Sequence, residues 1–158
     1  MSAAGISLAD ADATRRAGRI LAGLVRGGDA IALVGDLGAG KTTLVGGLVE
    51  ALGNGVASSP TFALVHEYPG PALVVWHVDL YRIEREAELV ELGLDDMLGD
   101  RRGVCVVEWA DRYAVMPADH LRLELAHDAA GRTLVATGRG PRGEALASAL
   151  VAELLRSS

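Results

Sequence analysis

The sequence predicts a single α/β domain, three layers deep, built on a mixed central sheet. Three observations lead there. Short apolar runs of strand length alternate with segments whose apolar residues recur at helical spacing. The runs inside "DAIALVGD", "PALVVWHVD" and "RGVCVVE" are apolar nearly throughout, which suits early strands that run parallel and are buried. The 158 residues, half of them apolar and only 4% aromatic, suffice for one core of Ala, Val and Leu and are short for two.

Taken in order, Ser7 or Asp10 is placed to cap a first helix whose apolar positions Ala13, Ala17, Ile20, Leu21 and Leu24 fall on one face, ended by Gly27-Gly28. "DAIALVGD" is a strand and leads into a glycine loop. "TTLVGGLVEAL" follows at helical period and is stopped by Gly53-Asn54-Gly55. "SSPTFALVHEY" begins as a loop, since Pro60 keeps Ser59 out of helix, and becomes a strand. "PALVVWHVDLYR" is a strand closing on Asp79, and "EREAELVELGLDDMLGD" reads as one or two short helices. "RGVCVVEWADR" is a strand closing on Glu108. "HLRLELAHD" alternates with period two, "RTLVATG" is another strand, and Gly131 between them suits a hairpin. A proline opens the amphipathic tail, which predicts a C-terminal helix over about 143–156. With no repeat, linker or low-complexity stretch, residues 1–158 read as one domain.

A formal net charge of −6 argues against a protein that grips nucleic acid through its own surface, because counterion release needs many cationic contacts. The arginines are scattered; Arg101-Arg102 and Arg139/Arg142 are the tight clusters and read as solvated loops. Cys105, inside "VCVVE", reads as a buried inert thiol, and a single cysteine makes neither a disulfide nor a cysteine zinc site. No apolar run approaches membrane-spanning length and the N-terminus has no signal core, so a soluble, cytoplasmic protein is expected. The chain has fourteen arginines and one lysine, Lys41, at the place where a compact, flexible point charge is wanted.

Gly35-x4-Gly40-Lys41-Thr42 is a complete P-loop, lying between a predicted strand and a predicted helix as that motif requires. Its glycines permit backbone conformations in which successive N–H groups, here those of Gly35, Asp36, Gly38, Ala39, Gly40, Lys41, Thr42 and Thr43, converge on phosphate oxygens. The helix beginning near Lys41 adds its positive end. Lys41 reaches the β- and γ-phosphates, and the Thr42 hydroxyl takes a place on Mg²⁺. The fold class is therefore of the P-loop NTPase type. A guanine-reading Asn-Lys-x-Asp motif is excluded because Asn54 precedes glycine and the lone lysine is already used, so ATP is the expected nucleotide. Glutamine is absent, so another polar group must orient the attacking water.

A P-loop NTPase needs an acid at the end of a nearby strand, and two runs offer one, at Asp79 and at Glu108. Periodicity does not choose between them. "SSPTF" falls where switch segments of such proteins lie, so Thr61 is a candidate sensor of the γ-phosphate, with a plain loop as the alternative. Trp109 follows Glu108 directly and reads either as a rim residue of a docking surface or as half-buried packing. His77 alternates with Asp79 and is read as a structural, hydrogen-bonded histidine. His66, His120 and His127 show no metal spacing.

"GDLGAGKTT" (35–43), "SPTFALV" (59–65), "HVDLYR" (77–82) and "VVEW" (106–109) together closely resemble the TsaE (YjeE) family, small bacterial P-loop ATPases needed to make threonylcarbamoyladenosine in tRNA. The motifs match in order and spacing, and similarity runs to about Gly131-Arg132. The resemblance implies that Thr42 and Glu108 are the magnesium-associated side chains, that Asp79 is the essential acid near the γ-phosphate, and that Thr61 is the switch-like threonine. It gives Trp109 the place of the family's characteristic tryptophan, and Ser7–Asp10 and Arg132 the places of segments that enclose the nucleotide. It further implies ATP and Mg²⁺ as cofactors, TsaD and TsaB as partners, tRNA met only through that complex, and hydrolysis that resets the complex. A small-molecule kinase on the same cradle is the alternative; the short chain leaves little room for a substrate insert and lid.

Overall fold

The three apolar runs that end at Gly35, Asp79 and Glu108 lie side by side at the centre of one sheet. The computed structural model describes residues 4–36, 38–57, 64–129 and 131–157. Its elements run β1 (Ala4–Leu8), α1 (Ala11–Ala22), β2 (Ala30–Gly35), α2 (Lys41–Ala51), β3 (Val65–Tyr68), β4 (Val74–Asp79), α3 (Ala87–Leu92), α4 (Leu94–Leu98), β5 (Gly103–Glu108), β6 (His120–Asp128), β7 (Gly131–Arg139) and α5 (Gly140–Ser157). The strand order is β1-β7-β6-β2-β5-β4-β3. β6, β2, β5 and β4 are mutually parallel, while β7 and β1 on one flank and β3 on the other add antiparallel strands. The sheet is thus mixed, as expected, with a parallel centre. β5 is buried along its whole length, which is why its run carries no polar alternation before Glu108.

Both faces of that centre are covered. Ile31, Leu33, Val75, Val104 and Val106 face a layer made by α1, α2 and α5, with Leu21, Leu44, Leu48 and Leu150 buried against them. Trp76, Val78, Cys105 and Val107 face the other way and are covered by Leu80, Ile83, Leu94 and Leu98. Three layers result. Helices α1 and α2 touch backbone to backbone: a Cβ at Gly18 would stand 2.0 Å from the Leu44 carbonyl oxygen, and one at Gly47 the same distance from that of Arg15. The buried Cys105 thiol is pushed up to about 12 by desolvation, so it stays protonated and inert at neutral pH.

Four details depart from the sequence reading, the first being that α1 ends at Ala22, capped by Gly23, ahead of Leu24 and Gly27-Gly28. Residues 4–8 form a strand, β1, that pairs with β7, so Ser7 is a strand residue; Asp10 alone caps α1, accepting the Ala13 N–H at 2.9 Å. α5 starts at Gly140, about a turn before the expected start, because Asp119 accepts the backbone N–H groups of Arg142 at 3.2 Å and Gly143 at 2.7 Å. Arg142, read as part of a solvated cluster, instead makes a two-pronged ion pair with buried Asp29, at 3.0 and 2.8 Å. No described helix is long and apolar enough to cross a membrane.

Candidate functional site

Parallel strands carry their carboxyl ends to one edge of the sheet, and here Gly35, Asp79 and Glu108 meet there; Asp79 and Glu108 are register partners on β4 and β5, and Leu33 of β2 is level with Glu108. Gly35 opens the loop that carries the chain into α2. At its far end Gly40 adopts φ 107°, a conformation other residues rarely take, and a Cβ there would crowd Thr14 at 3.3 Å. α2 then begins at Lys41 with no side-chain cap, and Lys41, Thr42 and Thr43 of its first turn line a cavity.

That cavity measures about 390 Å³, and Gly38, Gly40, Thr42 and Thr43 form its loop side. Asp79, Tyr81, Glu108, Trp109, Arg82 and Arg132 close the remainder. The residues singled out in the sequence as phosphate and metal partners therefore converge: Lys41, Thr42, Thr43, Asp79, Glu108 and Arg132 share one cleft. Gly35 lies just behind it, where its carbonyl accepts a hydrogen bond from Lys41 Nζ at 2.6 Å. Ala39 is buried and Asp36 exposed on the loop's other flank. Thr61 lies outside the described residues. Ser7 and Leu8 belong to β1, whose end pairs with β7 so that Leu8 stands opposite Arg132.

Lys41 is buried to 6% exposure, and its ammonium has three neighbours: the Gly35 carbonyl, Glu108 Oε1 at 3.5 Å, and the face of the Trp109 ring, whose centroid is 4.7 Å away. Glu108, only 5% exposed, has its second oxygen on His77 Nε2 at 2.5 Å. Asp79 is less enclosed. Its Oδ1 accepts the Tyr81 N–H at 2.9 Å. Burial raises its pKa above the ordinary carboxylate value, the Tyr81 bond opposes this, Glu108 pushes the same way as burial, and His77 and Lys41 pull it down. Trp109 is half-buried and holds φ 61°, the one non-glycine at positive φ among the described residues. Its ring leans on that of Tyr81, centroids 5.0 Å apart at 45°. The half-buried packing reading of Trp109 holds, and the residue also lines the cavity.

Two side chains from the β6–β7 hairpin brace the loop. His127 Nε2–H donates to the Gly38 carbonyl, and its register partner Arg132 lays Cδ and Nε within 3.5 Å of where a Gly40 Cβ would stand. Arg132 Nε and Nη1 are buried with no hydrogen-bond partner among the described residues. Stranded guanidinium donors cost on the order of 1–3 kcal/mol each unless an acceptor meets them, and phosphate oxygens suit the guanidinium fork. On the acidic side Arg112 donates to the carbonyls of Leu80 and Tyr81, tying the turn after Glu108 to the turn after Asp79.

The donor set fits a hard cation. Thr42, Asp79 and Glu108 offer oxygens only, as magnesium prefers. Among the described residues no cluster of three or more His, Cys, Asp or Glu side chains can hold a metal by itself, so a cation here would take the rest of its shell from phosphate and water. His77 is the hydrogen-bonded histidine the sequence suggested, but its partner Glu108 was not foreseen, and no site role was given to His127, Tyr81 or Arg82. Only His77 and Tyr81 had a signal, their spacing of two residues on either side of Asp79.

The family model described as threonylcarbamoyl adenosine biosynthesis protein TsaE matches residues 8–134. A relative from Bacillus subtilis described as tRNA threonylcarbamoyladenosine biosynthesis protein TsaE is 44% identical over 98 residues, 61% of this chain and 60% of its own length. One of the same description from Streptomyces coelicolor is 46% identical over 118 residues, 70% of this chain and 77% of its own. The crystal structure of Bacillus subtilis YdiB superposes with a TM-score of 0.79 at 30% identity, covering 96% of each chain.

Proposed function

The chain belongs to the TsaE family, and on that premise we propose that it is a cytoplasmic, magnesium-dependent ATPase serving tRNA threonylcarbamoyladenosine synthesis as an accessory subunit beside TsaD and TsaB. The observation that carries the nucleotide reading is the cleft in which Lys41, the N-terminus of α2 and Arg132, whose Nε and Nη1 have no partner among the described residues, face two carboxylates. Two cationic side chains and the positive end of a helix stand against an acidic pair for a cation. In this reading the loop N–H groups from Gly38 to Thr43 hold the phosphates, Lys41 bridges the β- and γ-groups, and Arg132 meets the phosphates' remaining oxygens. Thr42 and Glu108 would hold magnesium, which neutralises charge on the β- and γ-oxygens.

Hydrolysis needs a water aimed at the γ-phosphorus, with ADP leaving as water adds and inorganic phosphate released. Asp79 is the group we assign to orient that water, and its raised pKa suits a carboxyl that handles a proton near the reacting atoms. Thr61 takes the switch role and senses the γ-phosphate. Trp109 and Tyr81, whose tilted rings meet at the mouth, are the assigned contact for a partner that completes the site. ATP is preferred to GTP, for want of a guanine-reading motif.

The test is a reconstituted modification assay run over many cycles with TsaD, TsaB, threonylcarbamoyl-AMP and tRNA, with and without this chain. Sustained turnover only in its presence, lost in Lys41→Ala, is the expected result. Equal turnover without it would remove the accessory role, and labelled phosphate passing from ATP to a metabolite would favour the kinase.

A further inference from the structure

His77 sits on β4 two residues before Asp79, fully buried, on the sheet face that looks toward α2. Toward the amino end of β4 that face is apolar, with Val75, Val104 and Val106 on the same and the neighbouring strand, while His66 of β3 is the register partner of His77. An aliphatic side chain would fill such a position without a polar penalty. The imidazole carries one, because its Nδ1 is buried with no hydrogen-bond partner among the described residues. What it gains is a single short bond, Nε2 to Glu108 Oε2 at 2.5 Å. Against an ionised carboxylate that nitrogen must carry the proton, so Nε2–H donates to Glu108.

The consequence falls on Glu108. Its side chain turns about three bonds and has two equivalent oxygens. With Oε2 tied to His77, Oε1 is left facing Lys41 at 3.5 Å, on the side of the cavity. We propose that His77 is a positioning residue: it clamps one oxygen of Glu108 and thereby aims the other at the cation side of the nucleotide site. This rests on the magnesium-dependent nucleotide reading above and extends it to a residue that touches neither nucleotide nor metal. Hydrogen bonds that orient a ligating carboxylate from behind typically govern 10- to 100-fold in metal affinity.

A fluorescent non-hydrolysable ATP analogue is titrated into the wild type and into His77→Leu, His77→Gln and His77→Asn, once with Mg²⁺ and once with EDTA, with a thermal melt of each protein. The wild type binds more tightly with magnesium. His77→Leu loses about tenfold or more of that magnesium-dependent gain and keeps its affinity in EDTA. His77→Gln, whose amide nitrogen reaches the Nε2 position, recovers most of the gain; His77→Asn, whose amide ends near Nδ1, does not. Should the leucine variant fail to fold, the glutamine–asparagine pair decides alone. An undiminished magnesium gain in His77→Leu or His77→Asn, or equal losses with and without magnesium, overturns the positioning role and leaves an ordinary core histidine. Absence of any magnesium gain in the wild type overturns the nucleotide reading and the role of His77 with it.

Discussion

Removing the Lys41 ammonium should damage more than nucleotide binding, because Lys41 and Glu108 are a buried ion pair that each neutralises. At 3.5 Å and an effective dielectric of about 20, their attraction is about 5 kcal/mol before desolvation is charged against it. Both side chains are at most 7% exposed, so solvent screens little of this. Breaking such a pair from one side typically costs 3–5 kcal/mol. Here His77 remains on Glu108 and Gly35 remains for Lys41, so each single loss should be about 2–3 kcal/mol. We therefore expect Lys41→Met and Glu108→Gln each to lower the melting temperature by roughly 4–12 °C in EDTA without nucleotide. The double variant should lose no more than either single, a coupling of about 2 kcal/mol. Urea denaturation of the four proteins measures the cycle. Lys41→Met and the double variant should both fail to bind ATP, although the double has the stability of a single; binding loss is then not unfolding. Losses that add to within about 0.5 kcal/mol would refute the pairing.

Asp79 yields a prediction with the sign of its pKa shift. Its folded-state pKa is raised, above all by burial, so the fold favours the protonated form. That contribution is fully present below the ordinary value of 3.8 and is lost as pH rises through the folded-state pKa. Asp79→Asn, which still accepts the Tyr81 N–H, should be more stable than the wild type at pH 7, with the gap closing below about pH 3.8 in a series of urea melts, while multiple-turnover hydrolysis falls. Equal stability at pH 7 would mean that burial does not strain this carboxylate. Trp109→Ala should keep ATP-analogue affinity within about fivefold, since Trp109 contributes a partly exposed cation–π contact of about 1 kcal/mol to Lys41. It should still lower partner-stimulated turnover; normal stimulation by TsaD and TsaB would move the docking surface elsewhere.

The elements legible in the sequence were those whose signal is local. The strands ending at Gly35, Asp79 and Glu108 are apolar because β2, β4 and β5 are buried on both faces, and the glycine loop announces itself by spacing. β1 was not legible: "AGISL" has no strong alternation, and it is a strand because β7 offers Thr133, Leu134 and Val135 across from it. The extra turn at the start of α5 depends on Asp119, more than twenty residues upstream in the sequence. At the site, the residues that offer charge were readable by type. Those that hold the charged groups were not, since His77 meets Glu108 across 31 positions and His127 meets Gly38 across 89. Such pairings exist only after the sheet has set its register.

That register also links the two ends of the cleft. Arg112 fastens the turn behind Asp79 to the turn behind Glu108, and Trp109, between Glu108 and Arg112, lays its ring against Tyr81 and over Lys41. A phosphate arriving at the ammonium competes with the Gly35 carbonyl, with Glu108 and with the Trp109 face at once. To the extent that it wins, Trp109 loses one of the contacts that hold it at φ 61°, a conformation that costs a non-glycine residue roughly 1–2 kcal/mol. Trp109 in turn touches Tyr81, so a change at Lys41 reaches both rings of the mouth. Occupancy of the phosphate cradle is in this way written onto the same aromatic pair that we assign to partner contact. A protein that binds this surface can then both read the nucleotide and, by holding Trp109 in one position, alter how firmly Lys41 is engaged.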